Sequence, residues 1–321
     1  MAAAHELHAA EIVELSRITA EQLEPVLQEE RITWRSNLRW DFGSSAELVR
    51  RFVRIQALSG YALLVSGRVV GYAYYVVEDR KGLIGDLYIL REFSCPEYED
   101  TLLSAVLEAL VMAPGVCRIE AQLMMLRGPF ERPLPLFRYS RIHPRVFMLA
   151  DLADTGHLPE GKGSHELRYR QWIESREEES AALIAAAYRG HVDATINDQY
   201  SSVSGARRFI HNIVQYPGCG SFFVPASLVA DRADGSMAGI VLASLVAADT
   251  GHITQLCVSP ANKGQGVGYE LLRRSLYILA QSHCERVSLT VTAGNTEAIE
   301  LYQRIGFRAT RRFAAYVWEG F

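Results

Sequence analysis

Val258-Ser-Pro-Ala-Asn-Lys-Gly-Gln-Gly-Val-Gly-Tyr269 is the stretch on which the reading of this sequence turns. It follows the alternating segment His252–Val258 and runs into the apolar-periodic ELLRRSLYILA that starts at Glu270, so it joins a strand to a helix. Gly264, Gly266 and Gly268 let the backbone turn tightly and let a ligand approach with no Cβ in the way. The first amides of the following helix lack partners inside the helix, and the helix dipole adds positive potential there. Such a turn cradles a pyrophosphate, and Lys263 adds a point charge at its mouth. It is not a Walker loop, because no Gly-Lys-Ser/Thr closes it. It is also a poor dinucleotide fingerprint. The acid about 20 residues on, Glu285, falls before the next strand rather than at its end.

The downstream sequence sharpens this. A strand, Arg286–Thr292, leads to Gly294-Asn295, and a short helix is predicted over Thr296–Ile305. Asn295 suits its N-cap and Gly306 a left-handed C-cap, after which Phe307 opens a last strand. The pair KGQGVGYELL and NTEAIELYQRIGF resembles the GNAT superfamily of N-acetyltransferases. The family pattern is Arg/Gln-x-x-Gly-x-Gly/Ala, then Asn-x-x-Ala-x-x-Leu-Tyr-x-x-x-Gly-Phe. Here Lys263 stands for the usual Arg or Gln, while Asn295, Ala298, Leu301, Tyr302, Gly306 and Phe307 fit in full. The resemblance covers roughly residues 166–321.

It implies an acyl-CoA cofactor, most often acetyl-CoA, and direct acyl transfer to an amine. The pyrophosphate is expected on the amides of Gly264, Gln265, Gly266, Val267, Gly268 and Tyr269, with Lys263 and Asn295 close by. The pantetheine arm is expected to extend the sheet along Leu256, Cys257 and Val258. Tyr302 takes the general-acid position of the family. The family's strand glutamate is absent, and Gln255 in that strand cannot take a proton. His252 is a strand-end histidine, read as a surface residue. Cys257 side-chain packing reads as core. The acceptor wall is expected from a helix opening at Ser175 with a capping box to Glu178, and from the polar loop Gly190–Tyr200. Within it His191 is the candidate base, and Asp193, Asn197, Asp198 and Tyr200 are candidate acceptor contacts, with Asp193 or Asp198 pairing a cationic amine.

Working outward, the same order of signals occurs twice. Ile89 to the helix start at Thr101 is 12 residues, and Val258 to the helix start at Glu270 is also 12, so one offset of 169 registers strand, loop and helix. Upstream, Gly67–Gly71 against Gly235–Gly239 slips from that register. The stretch 151–165, rich in glycine, reads as a linker. The expected architecture is therefore α/β (α+β), with two tandem GNAT-like domains. Each would be a mixed, mostly antiparallel central sheet flanked by helices: a degenerate copy over 1–150 and an acyl-CoA-binding copy over 166–321. The degeneracy has a physical basis. The offset maps Ser94, Glu97 and Glu99 onto Lys263, Gly266 and Gly268, which sets carboxylates where a diphosphate would lie. The counterpart of the Asn295 helix is Arg127–Pro135, whose prolines forbid a regular helix. One CoA per chain is expected. Trp34 and Trp40 read as core residues of the first copy.

Composition bounds the rest. A chain of 321 residues with 49% hydrophobic and 22% charged residues has the profile of about two globular domains. A net charge of −4 argues against a nucleic-acid partner. The longest apolar run, Met237–Ala248, is too short for a bilayer, and the N-terminus has no signal-peptide pattern. Five dispersed cysteines without a Cys-x-x-Cys pair indicate neither zinc nor disulfides and fit a reducing cytoplasm. The expected partner is a small-molecule amine or a protein amino group, with no membrane and no metal, and a homo-oligomer is allowed. A non-catalytic acyl-CoA sensor is the alternative reading, and a nucleotide site on the glycine loop a third.

Overall fold

In chain order the elements are β1 (Ala10–Glu14), α1 (Ala20–Leu38), α2 (Gly43–Arg54), β2 (Gly60–Val65), β3 (Arg68–Glu78), β4 (Lys81–Ile89), α3 (Pro96–Met112), β5 (Arg118–Gln122) and β6 (Ser140–Asp151). The second run is β7 (Arg168–Gln171), α4 (Glu177–Ala187), α5 (Val192–Ile196), α6 (Val203–Gln215), β8 (Ser221–Phe222), β9 (Leu228–Asp231), β10 (Met237–Ala247), β11 (Thr250–Val258), α7 (Val267–Gln281), β12 (Arg286–Thr292), α8 (Thr296–Ile305) and β13 (Arg308–Glu319). This computed structural model describes residues 9–127, 129–155, 158–161, 166–216 and 218–321. No helix among them is long and apolar enough to cross a membrane.

The offset read from the loop holds in the strands. β3 and β10 lie 169 residues apart at both ends, and so do β4 and β11. β6 and β13 lie 168 apart at both ends. The upstream slip persists in the pairing: Gly71 faces Ile89 and Gly239 faces Val258, so these positions of β3 and β10 differ by 168, and the irregularity between Leu245 and Ala247 restores 169.

Two compact units result, but they are not the two halves of the sequence. Among the described residues, the first comprises those within 9–37, 42–144 and 313–321, and the second those within 38–41 and 145–312. In the first, β1 to β4 form an antiparallel meander, β5 lies parallel to β4, and Phe313–Glu319 of β13 runs on the far side of β5, where Ala315 faces Gln122. In the second, β7, β9, β10 and β11 are antiparallel, β12 lies parallel to β11, and Arg145–Asp151 of β6 pairs antiparallel with β12. Each half thus gives the end of its last strand to the other unit. The boundary expected at residue 150 moves accordingly, because strand pairing is set by a long-range partner that local periodicity does not reveal.

Three further expectations change. Trp40 belongs to the second unit: its indole N–H donates to Ser288 Oγ at 3.1 Å, and its ring lies edge-on to His252 at 4.8 Å. Trp34 stays in the first unit, stacked on Phe42 at 5.0 Å. The first acceptor-wall helix starts at Glu177, not Ser175, after a 3-10 turn over Glu174–Arg176. The linker is anchored where it is described, while residues 156–157 and 162–165 fall outside the described residues. Leu152 is buried and its amide donates to the Glu285 carbonyl, and the Gly161 amide donates to the Glu270 carboxylate at 2.9 Å.

The core of the second unit explains why β10 reads as one continuous apolar run. Successive side chains of a strand point to opposite faces. Val241 and Ala243 join the cluster of α7, with Leu271, Leu272 and Leu276. Ile240 and Leu242 join the cluster of α4 and α6, with Ile184, Ala206 and Ile210. Both faces are covered, so no polar alternation is needed.

Glu270 in α7 is 0% exposed. Burial disfavours its charge. Hydrogen bonds from Arg273, the Gly161 amide and Arg274 outweigh burial and hold the carboxyl at about 2. A carboxyl depressed in the folded state contributes stability above its ordinary pKa, and that contribution is lost as pH falls through the folded value. Glu270→Gln is expected to cost on the order of 2 kcal/mol at pH 7. In denaturant titrations the gap to the parent protein should close between pH 4.5 and 2, and a gap that persists to pH 2 refutes the assignment.

Candidate active site

The site of the second unit begins where two strands part. β11 and β12 are in parallel register only from Thr250 and Arg286 to Ile253 and Leu289. Beyond that, β11 stays paired with β10 as far as Val258, and β12 stays paired with β6 as far as Thr292. Each strand therefore keeps its outer neighbour and leaves the inner one, which opens a cleft with free backbone at Leu256 and Val258, while the Cys257 backbone faces Ile240 of β10. The Cys257 side chain is buried on the α4 and α6 face, and its thiol is pushed up to about 12 by burial. It is a core group there, with its backbone paired to β10.

The glycine turn caps this cleft. Gly264 and Gly266 sit at φ +79° and +80°, in the left-handed region. Gly266 is the N-cap of α7 and no side chain caps the helix, so the amides of Val267, Gly268 and Tyr269 point out of its end. The turn is braced from the β9–β10 side. Arg232 donates to Ser259 Oγ at 2.7 Å and to Asn262 Oδ1, and Asn262 Nδ2 donates to Gln265 Oε1 at 3.0 Å. Lys263 is exposed and lies 2.8 Å from Glu297 at the start of α8. The Tyr269 side chain turns away and donates to the Pro159 carbonyl at 2.8 Å.

The matching turn of the first unit is closed by its own residues. Pro96 removes a donor from the start of α3. Glu99, 2% exposed, accepts from the Arg127 amide at 2.7 Å and lies 3.0 Å from Arg132. The carboxylate is thus a built-in anion where α7 leaves amides open.

On the other side of the cleft, α8 is set as its sequence predicts. Asn295 accepts from the Ala298 amide at 3.3 Å, and Gly306 closes the helix at φ +112°. Tyr302 projects from α8, packs on the α7 cluster and lies 5.9 Å from the Phe307 ring. Its phenol is pushed up to about 12, first by burial and then by the Asp193 charge, with Arg145 opposing.

The acceptor-wall loop is more ordered than expected, because it holds α5 and a 3-10 turn over Asp198–Ser201. His191 caps α5: its Nδ1 accepts from the Asp193 amide at 3.1 Å. Its Nε2 lies 3.4 Å from Asn295 Nδ2. His191, the base candidate, is therefore placed beside Asn295, the N-cap of α8. Asp193 is not open to an amine, which corrects its expected role. Its Oδ1 lies 3.2 Å from Arg145 and accepts from the Thr292 hydroxyl. Asn197 caps the 3-10 turn through the Gln199 amide, and Asp198 is exposed on it. Tyr200 stacks on Tyr188 at 4.5 Å and meets Phe209 edge-on at 4.9 Å. The Tyr188 hydroxyl accepts from Gln255 Nε2 at 2.9 Å.

His252 is buried, not superficial. It contacts Ser288 Oγ at 2.9 Å, and burial lowers it to about 3. It is a neutral core group. Arg145, Thr292, Tyr188 and Arg232 were not singled out by the sequence. Among the described residues no cluster of His, Cys, Asp and Glu forms a metal centre.

With this geometry in hand, the comparisons with known proteins are specific. Residues 196–307 match the sequence model of the Acetyltransferase (GNAT) family. A 70-residue segment is 34% identical to the N-alpha-acetyltransferase MAK3 of Arabidopsis thaliana, covering 22% of this chain and 37% of that protein. An 89-residue segment is 35% identical to the mycothiol acetyltransferase of Beutenbergia cavernae, covering 28% of this chain and 30% of that protein. The chain therefore spans only about a third of the length of these relatives. A solved tandem GNAT protein from the clavulanic acid biosynthesis pathway superposes with a TM-score of 0.63 at 17% identity, covering 97% of this chain and 98% of that one. The segment 196–307 belongs to the GNAT family of acetyltransferases, and the chain as a whole has the tandem GNAT fold.

Proposed function

We propose that the protein is an acetyl-CoA-dependent N-acetyltransferase that acts through its second unit on a primary amine. The observation that carries this is the parting of β11 from β12 beneath an uncapped α7, with a phenol on α8. The residues fit the cofactor. Two left-handed glycines, three open amides and Lys263 suit a diphosphate, and the free backbone of Leu256 and Val258 suits an amide-bearing arm. When bound, acetyl-CoA supplies the activated acyl group as a thioester.

The chain supplies the rest. Tyr302 holds a proton at Oη and is the general acid for the departing thiolate. The backbone N–H groups about Val258 are the proposed oxyanion donors. His191 or a water takes the amine's proton before attack. The rate should therefore rise with pH through the acceptor's own pKa. The acceptor is a small-molecule amine in preference to a protein tail, and a cytoplasmic setting fits.

An acetylation assay across a panel of amines tests the proposal. CoA binding without turnover on any amine would favour the sensor reading, which Gln255 in place of a strand acid supports. Competition by ATP and not by CoA would favour a nucleotide site instead. Calorimetry should give one CoA per chain, because Glu99 fills the first unit's turn. Two equal sites would overturn the assignment of a single working copy.

A further inference from the structure

One group at the candidate site comes from the first half of the sequence. Arg145 lies on β6, whose Arg145–Asp151 segment belongs to the second unit, and its Cα register partner on β12 is Thr292. It is 13% exposed at its side chain. Its Nη1 donates to Thr292 Oγ1 at 2.8 Å and to Asp193 Oδ1 at 3.2 Å, while Thr292 also donates to Asp193. These three groups join α5 to the end of β12. A second tie runs in parallel. Asn295 follows Thr292 through a turn, its amide donating to the Thr292 carbonyl at 2.9 Å, and its side chain meets His191, the cap of α5.

We propose that Arg145 is a positioning residue for the acyl-transfer site. It clamps α5 to the end of β12 and so holds His191 beside Asn295, the cap of the helix that carries Tyr302. Asp193 alone would not serve. Without Arg145 its half-buried carboxylate would face Tyr302 uncompensated, and forming a phenolate there would be opposed by a like charge. The direction of the Tyr302 shift agrees, since Asp193 raises it and Arg145 lowers it. The clamp rests on the acetyltransferase reading for its catalytic meaning but not for its existence. The mobility of α5 reports it whether or not any amine is acetylated.

The test uses the full chain with Arg145→Met, Arg145→Lys and Thr292→Val. Amide hydrogen exchange over Val192–Ile196 should accelerate at least tenfold in Arg145→Met. It should be partly restored in Arg145→Lys, which keeps the charge, and intermediate in Thr292→Val, which keeps the ion pair. In the acetylation assay kcat should fall at least tenfold in Arg145→Met, with KM for acetyl-CoA within about threefold of the parent. Unchanged α5 exchange in folded Arg145→Met and Thr292→Val overturns the clamp. A KM rise with kcat intact overturns the positioning role. A parent protein that acetylates nothing sinks the enzymatic reading alone, and the exchange data still decide the clamp.

Discussion

Gly266→Val is expected to weaken acetyl-CoA binding at least about 100-fold while the chain still folds. Gly266 is the N-cap of α7 at φ +80°. An L residue in that region costs about 1–2 kcal/mol, and a β-branched one is a genuine outlier there. The cheapest relief is for the turn to move to negative φ, which swings the open amides of Val267, Gly268 and Tyr269 off the diphosphate position. Each charge-assisted hydrogen bond lost is worth about 1.5–3 kcal/mol, so losing two already exceeds the stated factor. Gly266→Ala, strained but not branched, should fall between parent and valine. Isothermal titration with acetyl-CoA checks the series. Equal affinity in folded Gly266→Val would remove the turn as the cofactor cradle.

Tyr302→Phe is expected to lower kcat by about 100-fold, since general acid catalysis contributes roughly 10²–10⁴. The variant is clean for a structural reason. The ring packs on Phe307 and the α7 cluster, and these contacts survive in phenylalanine. Among the described residues none hydrogen-bonds the hydroxyl, so no buried partner is orphaned. KM for acetyl-CoA and the unfolding midpoint should stay close to the parent values. The pH dependence has a definite sign. An acid works only while protonated, and a phenol at about 12 stays protonated throughout the usual assay range. Tyr302 should thus produce no alkaline fall in kcat below pH 10. A fall near pH 8 that disappears in Tyr302→Phe, or unchanged turnover in that variant, would exclude the role.

What the sequence disclosed was local. The glycine turn, the Asn295 cap and the Gly306 stop are each written in a few consecutive residues, because conformations with positive φ and orphan amides demand particular side chains. The repeat was legible for the same reason, as spacing along the chain. What it hid was non-local. Nothing near Arg145 says that it stands beside Thr292, 147 residues away, or that it consumes the charge of Asp193. Asp193 and Asp198 look alike in a polar loop, yet one is locked in an ion pair and the other is exposed. His252 misled because its partners are equally remote: Trp40 and Ser288 bury it from opposite ends of the sequence.

The exchange of final strands also governs the order in which the protein can be made. A domain encoded first usually completes first during synthesis. Here the first unit needs Phe313–Glu319 to pair with β5, so it stays an incomplete sheet with an open β5 edge until synthesis has passed β13. The second unit needs nothing beyond residue 312 and can close before it. The nascent chain therefore carries an unfinished strand edge longer than a plain tandem arrangement would, which is the interval in which a chaperone matters most.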